Sequence, residues 1–97
     1  MSTKARVHPK KIRVSVSQED IDKGTRLSSL FCPITRALRD DLCEDRYIEV
    51  GAQTALIGTA LIGFVRYNLS TRAKRFISKF DKDLPVEPST FILTRTE

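Results

Sequence analysis

Residues 51–65 carry no charge, in a protein of which 30% of the residues are charged. A compact fold has to bury this stretch, because burial of apolar surface is the dominant favourable term in folding. Residues 55–58 read ALIG, and residues 60–63 read ALIG again. Since glycine supplies the positive φ of tight hairpin turns, we predict two strands that meet near Gly58 and Thr59 and form the floor of the core.

Two alternatives for residues 51–65 stay open at this point. A helix would bring Leu56, Ala60 and Phe64 onto one face, but each glycine inside it would cost about 1 kcal/mol relative to alanine. A membrane span needs about 20 apolar residues, and this stretch is shorter and contains Gln53. The hairpin is the favoured interpretation.

Other strands are predicted on both sides of this stretch. Residues 12–16 and residues 46–50 alternate between apolar and polar side chains, which is typical of half-buried strands. Residues 61–69 are rich in β-branched and aromatic side chains, which favours a strand. Residues 89–94 form a last predicted strand at a sheet edge, where the prolines before it cost no ladder hydrogen bond.

Three segments carry helix signals. Residues 17–24 contain a serine cap and a terminal glycine, which predicts a single capped turn. Pro33 suits the first turn of a helix, and the acidic residues that follow oppose the helix dipole, so we expect this helix to end near Leu42 or Cys43. Residues 71–82 show the clearest amphipathic pattern in the chain.

The main elements are read as strand, helix, strand, strand, helix, strand. We therefore predict an α+β fold, a two-layer sandwich with a small, mostly antiparallel sheet and two helices on one face, as in ferredoxin-like and related folds. Residues 1–11 are basic and nearly free of large apolar side chains, so we expect a flexible arm before a single domain at residues 12–97. On such a sheet, Tyr47, Ile62 and Phe64 would face solvent or a partner, and an apolar patch there would favour a homodimer or a protein target.

The net charge of +5 permits contact with nucleic acid or with an acidic protein surface. Most candidate binding residues lie on the second predicted helix, and the others lie near the N-terminus. They are Arg72, Lys74, Arg75, Lys79, Lys82, Lys10, Lys11 and Arg13. If they converge, phosphate contacts would give salt-dependent affinity without sequence preference. A lysine-rich helix exterior is also the usual solvated face, and no exposed aromatic series indicates base stacking.

The sequence does not favour an enzyme. His8 is the one histidine, and it lies in the predicted arm, where a general base could not be held within hydrogen-bond reach of its proton. Cys32 precedes a predicted helix, whose dipole would lower its pKa, but a small packed residue is the favoured interpretation. Cys43 could approach Cys32 only if that helix were absent. We predict no catalytic residue.

No metal or cofactor is expected either, because the chain contains no CxxC pair, no His/Cys cluster and no glycine-rich phosphate loop. The carboxylates of residues 40, 41, 44 and 45 could bind a divalent cation, but a solvated helix end explains them better. The polar N-terminus lacks an apolar signal segment, which predicts a cytoplasmic protein with free thiols and no membrane partner.

Two short motifs carry a family resemblance. Residues 32–38 read Cys-Pro-Ile-x-x-Ala-Leu at the start of a predicted helix, and residues 80–88 read Phe-Asp-x-x-x-Pro-Val-x-Pro. With these motifs the chain resembles a set of small proteins encoded by bacteriophages and prophages. The resemblance implies an origin in a mobile element rather than an activity. Together with the small size and the absence of a catalytic constellation, it motivates the hypothesis of a non-enzymatic binding protein that acts by protein–protein contact in the cytoplasm of a bacterial host. Such a protein would inhibit a defence or other host protein, as CRISPR inhibitors do. The alternative is a nucleic-acid-binding protein that uses the second helix and the N-terminal arm.

Overall fold

The computed structural model describes residues 9–42, 46–61 and 63–96. In these residues the chain forms five strands and three helices, in the order β1 (Lys11–Val16), α1 (Gln18–Lys23), α2 (Pro33–Asp41), β2 (Tyr47–Val50), β3 (Thr54–Thr59), β4 (Gly63–Leu69), α3 (Thr71–Asp81) and β5 (Ser89–Arg95). The α+β prediction is confirmed. The predicted element order is matched in part: it includes β1, α2, α3 and β5, but it merged β2, β3 and β4 into two strands and did not count α1 as a helix.

The five strands form one antiparallel sheet in the order β1-β5-β4-β3-β2. The strands nearest the two ends of the chain, β1 and β5, are therefore neighbours. The predicted edge position for residues 89–94 is wrong, since β5 pairs with β1 on one side and with β4 on the other. Pro85 and Pro88 lie before β5, so they remove none of its ladder hydrogen bonds even though β5 is a central strand.

The sheet is curled around helix α2. This helix contacts β1 and β2, which are the two edge strands of the sheet. Five flat strands would place these edges about 19 Å apart, farther than the diameter of about 10–12 Å of a helix. Helix α3 packs on β4 and β5, and the short α1 packs on α2.

The core lies between the helices and one face of the sheet. Alternate residues of all five strands are buried there, namely Ile12, Val14, Val16, Ile48, Val50, Ala55, Ile57, Tyr67, Leu69, Phe91 and Leu93. The helices contribute Ile34, Ala37 and Leu38 from α2 and Ala73, Phe76 and Ile77 from α3. The opposite face of the sheet, here called the outer face, carries the remaining strand side chains.

The predicted hairpin is confirmed as β3 and β4, but its turn lies between Thr59 and Gly63 rather than at Gly58 and Thr59. Gly63 supplies the positive φ, at +84°. Gly58 lies inside β3 opposite Phe64, where a Cβ atom would overlap the Gly63 carbonyl oxygen and lie 2.6 Å from Phe64 Cα. Gly58 is thus required for close strand approach, not for a turn.

Serine residues cap two of the helices, and the first of these caps is the one predicted for residues 17–24. The Ser17 hydroxyl accepts a hydrogen bond from the Asp20 amide at 3.1 Å, and the Asp20 carboxylate accepts one from the Ser17 amide at 3.0 Å. The Ser70 hydroxyl accepts a hydrogen bond from the Ala73 amide at 3.2 Å, which caps α3. These bonds satisfy amide groups that have no partner inside the helix.

Part of the predicted N-terminal arm is held by the sheet. The Tyr67 hydroxyl donates to the Pro9 carbonyl at 2.6 Å, and the Arg95 amide donates to the Lys10 carbonyl at 2.8 Å. Lys11 is the first residue of β1. Residues 1–8 lie outside the described residues, so their flexibility stays a prediction.

Replacement of Gly58 tests the close approach of β3 and β4. We expect Gly58→Ala to lower the free energy of unfolding by about 1–3 kcal/mol, because the added methyl group meets backbone atoms that have to move. The control is Gly51→Ala, where the new Cβ would lie 3.5 Å from the Thr54 carbonyl oxygen in ordinary contact. We expect the control to stay within about 0.5 kcal/mol of the original chain. Urea unfolding measures both, and equal stabilities for the two variants would contradict the role assigned to Gly58.

Candidate functional site

A groove runs between α3 and the segment that leads into β5. Its volume is about 310 Å³, and it is lined by Arg72, Arg75, Phe76, Lys79, Pro85, Val86, Glu87, Ser89 and Phe91. Its floor is aromatic, because the buried rings of Phe76 and Phe91 meet edge to face with centroids 5.3 Å apart. The four α3 residues of the lining follow helical spacing, so they form one stripe beside the groove. We call this feature the basic groove.

The cations of the basic groove differ in how they are held. The Arg72 guanidinium lies 5.6 Å from the centroid of the Phe91 ring and donates to the Thr90 carbonyl at 3.2 Å. Arg75 and Lys79 are exposed, and neither side chain makes a hydrogen bond or ion pair with any residue that the structure describes. Glu87 is the single acid of the lining. The groove is thus net positive, with two cations available to an anionic group.

The structure separates the predicted binding residues into different surfaces. Lys74 and Lys82 lie on another side of α3, where they line a hollow with Leu27 and Asp81. Lys11 and Arg13 belong to the outer face, since the residues that alternate with them along β1 are buried under the helices. Lys10 is exposed just before β1. The single cationic field considered from the sequence therefore does not form among these residues.

An aromatic pair occupies the outer face of the sheet. Tyr47 of β2 and Phe64 of β4 both lie opposite Gly58 of β3, and their rings meet edge to face with centroids 6.0 Å apart. Tyr47 is 43% exposed and Phe64 is 49% exposed, which confirms that these two face away from the core, whereas Ile62 lies outside the described residues. Sequence reasoning missed the pair as a unit, because only the strand register brings both rings over one glycine.

The next row of the outer face forms a shallow hollow of about 300 Å³ that includes Glu49, Thr54, Leu56 and Arg66. The Glu49 carboxylate accepts hydrogen bonds from the Tyr47 hydroxyl at 3.0 Å and from the Ser29 hydroxyl at 3.4 Å. Arg66 Nη1 donates to the Thr54 hydroxyl at 3.4 Å. The hollow therefore offers a fixed acceptor and a donor on either side of an aliphatic floor.

Cys32 is a buried capping residue. Its sulfur accepts a hydrogen bond from the Thr35 amide at 3.5 Å and lies 3.2 Å from the Thr35 hydroxyl oxygen. The Thr35 hydroxyl also donates to the Ser29 carbonyl at 2.8 Å, so the sulfur lies within a buried network of hydrogen bonds. This burial supports the packed-residue interpretation over a nucleophile.

The other candidate chemical groups have little structural support. Asp40 and Asp41 lie at the end of α2, where burial and the neighbouring Asp40 charge raise the pKa of Asp41. Residues 43–45 and His8, which include the rest of the predicted acidic cluster, lie outside the described residues. Within the part of the chain that is described, no group of three or more His, Cys, Asp or Glu residues could hold a metal ion. No helix in that part has the length and apolar content needed to cross a bilayer.

Compared with known proteins, the chain has no significant match among protein-family models, curated protein sequences or solved structures. The chemistry of the basic groove and of the outer face is therefore what indicates function.

The two tyrosines of the chain offer a test of this geometry. The hydrogen bond to Glu49 raises the pKa of Tyr47, and burial raises the pKa of Tyr67. We expect both to titrate above the usual value of about 10 in an absorbance titration. Because the pKa values are raised in the folded state, their contribution to stability is present below that value and is lost as the pH rises through the folded pKa values.

The Glu49→Gln variant separates the two tyrosines. It removes the carboxylate, so the pKa of Tyr47 should fall towards its usual value while Tyr67 keeps its raised value. In Tyr47→Phe, Tyr67 is the one remaining tyrosine, so the absorbance change of that variant identifies the titration of Tyr67. A Glu49→Gln titration that superimposes on that of the original chain would contradict the assigned hydrogen bond.

Proposed function

We propose that this chain is a non-enzymatic binding protein that holds an acidic segment of a partner protein in the basic groove. The observation that carries the proposal is the pair Arg75 and Lys79, exposed and without a partner among the described residues, beside a buried aromatic floor. Clefts that combine an apolar floor with a few convergent polar groups are typical binding sites.

The chemistry of the groove favours carboxylates on an extended segment. Arginine presents a planar fork that can bind a carboxylate through two parallel hydrogen bonds. Arg72 is already held by Phe91 and Thr90, so less side-chain entropy is lost when a ligand binds to it. An apolar side chain of the same segment can cover the floor at Phe76, which places neighbouring acidic side chains at the cationic rim.

The biological setting follows from the resemblance to small phage and prophage proteins. In that setting the partner is a bacterial host or defence protein, and the chain inhibits it by covering a functional surface in the host cytoplasm. A chain without catalytic residues can act in this way, because occlusion requires affinity alone. A homodimer through the outer face stays a separate prediction, which sedimentation of the purified protein would test.

The alternative function is nucleic-acid binding by α3 together with the arm. Its support is the set of exposed cations on α3. It has less support than the peptide proposal, because Lys11 and Arg13 lie on the outer face, whereas α3 packs against the opposite face of the sheet.

Charge reversal in the groove tests the proposal. We expect the double variant Arg75→Glu/Lys79→Glu to bind its protein partner about tenfold more weakly or worse, because repulsion replaces attraction at the rim. The matched control is Lys74→Glu/Lys82→Glu, which changes the net charge equally on another side of α3. We expect the control to retain most of the affinity.

The measurement starts with capture from a nuclease-treated bacterial lysate and continues with calorimetric titration of the purified partner. Equal weakening by both double variants would mean that net charge alone drives binding, and it would overturn the assignment to the groove. Capture of no protein by the original chain would overturn the proposed function. Recovery of partners only from lysate that has not been treated with nuclease would favour the nucleic-acid alternative.

A further inference from the structure

The aromatic pair on the outer face lies beside apolar and cationic side chains. Phe64 and Arg66 are two residues apart on β4, so their side chains leave the same face of the sheet about 7 Å apart. Tyr47 lies on the other side of Gly58, and Leu56 continues the apolar surface beside Arg66. Two exposed rings, an aliphatic floor and a guanidinium group are therefore adjacent.

Further cations follow across the same face. Lys11 of β1 pairs with Thr94 of β5, which pairs with Asn68 of β4, so this row connects the cationic edge to the strand that carries Arg66. Arg13 lies two residues beyond Lys11. Glu49 is the single carboxylate among the described outer-face residues of the strands, and both of its oxygens already accept hydrogen bonds. The face is thus net positive and has polar hydrogen-bonding groups along its middle.

We propose that the outer face binds single-stranded nucleic acid, with bases stacked on Tyr47 and Phe64 and phosphates along Arg66, Lys11 and Arg13. Proteins that bind single strands combine a positive surface that follows the backbone with aromatic side chains on which bases stack. The hollow beside the rings adds an acceptor for the exocyclic amine of a stacked base, because each Glu49 carboxylate oxygen keeps a second lone pair beside the hydrogen bond that it already accepts.

Charge complementarity selects this occupant over a second copy of the chain. In a symmetric dimer both copies use the same patch, so Arg66, Lys11 and Arg13 of one copy would face a surface with the same cations. Such like-charge contacts disfavour association, whereas a polyanion is attracted to them. A duplex fits less well, since its bases are stacked inside the helix and offer no free face to the exposed rings.

The test is fluorescence anisotropy with a labelled mixed-sequence oligonucleotide of about 12 nucleotides, as single-stranded DNA, single-stranded RNA and duplex DNA. We expect both single strands to bind more tightly than the duplex, with affinity that falls as salt rises. Phe64→Ala should weaken binding at least about fivefold, since stacking on one ring is worth about 1–3 kcal/mol per base.

The matched control is Phe31→Ala. Phe31 is also an exposed aromatic residue, at 52%, with the Arg39 guanidinium 5.4 Å from its ring centroid, but it lies beside α2 rather than on the outer face. It should leave binding unchanged. If Phe64→Ala fails to fold, Arg66→Glu tests the same face, with Lys74→Glu on α3 as its control for the change in net charge.

Four results would overturn this proposal. The first is no binding at low salt, and the second is equal affinity for duplex and single strands. The third is unchanged affinity in both Phe64→Ala and Arg66→Glu. The fourth is a concentration-dependent dimer that Phe64→Ala abolishes, which would assign the face to a second copy. The proposed nucleic-acid site does not include the basic groove. We therefore expect Arg75→Glu/Lys79→Glu to bind the oligonucleotide about as well as Lys74→Glu/Lys82→Glu does. If the peptide proposal for the groove is overturned, the proposal for the outer face is not affected.

Discussion

The structure depends on the packing of α2 against both edges of a single antiparallel sheet. Contact with β1 and β2 at once requires the sheet to curl, and the curl encloses one face together with α3. The buried apolar side chains that alternate along the strands lie on that face. Among the residues that the structure describes, the outer-face side chains at the middle of each strand are exposed or half-buried, so the curl also determines which strand residues can contact a partner.

Gly58 connects the packing of the sheet to its surface chemistry. Because it has no side chain, β3 and β4 approach closely, and a gap opens on the outer face between Tyr47 and Phe64. The two rings fill this gap edge to face and cover the glycine, as aromatic neighbours of strand glycines do. The same arrangement that stabilises the strand pairing leaves two rings half exposed, which is the basis of the proposed stacking surface.

Two positively charged surfaces result from this architecture, and they suit different ligands. The basic groove is concave, with a buried aromatic floor and separate cations at its rim, which suits carboxylates on a peptide. The outer face is broad, with exposed rings and cations spread over several strands, which suits an extended chain of bases and phosphates. Because the sheet lies between them, both ligands could bind at the same time.

Much of this structure follows from local sequence patterns. Alternation at residues 12–16 and 46–50, the amphipathic pattern at residues 71–82 and the serine caps each act within a few residues. The sequence alone therefore determined that these segments are strands or helices and which of their sides are apolar. The central place of β5, the role of Gly58 and the separation of Lys11 from Arg75 were decided only by the tertiary structure. Each depends on which distant segments pair, and pairing is set by how the whole sheet closes around α2.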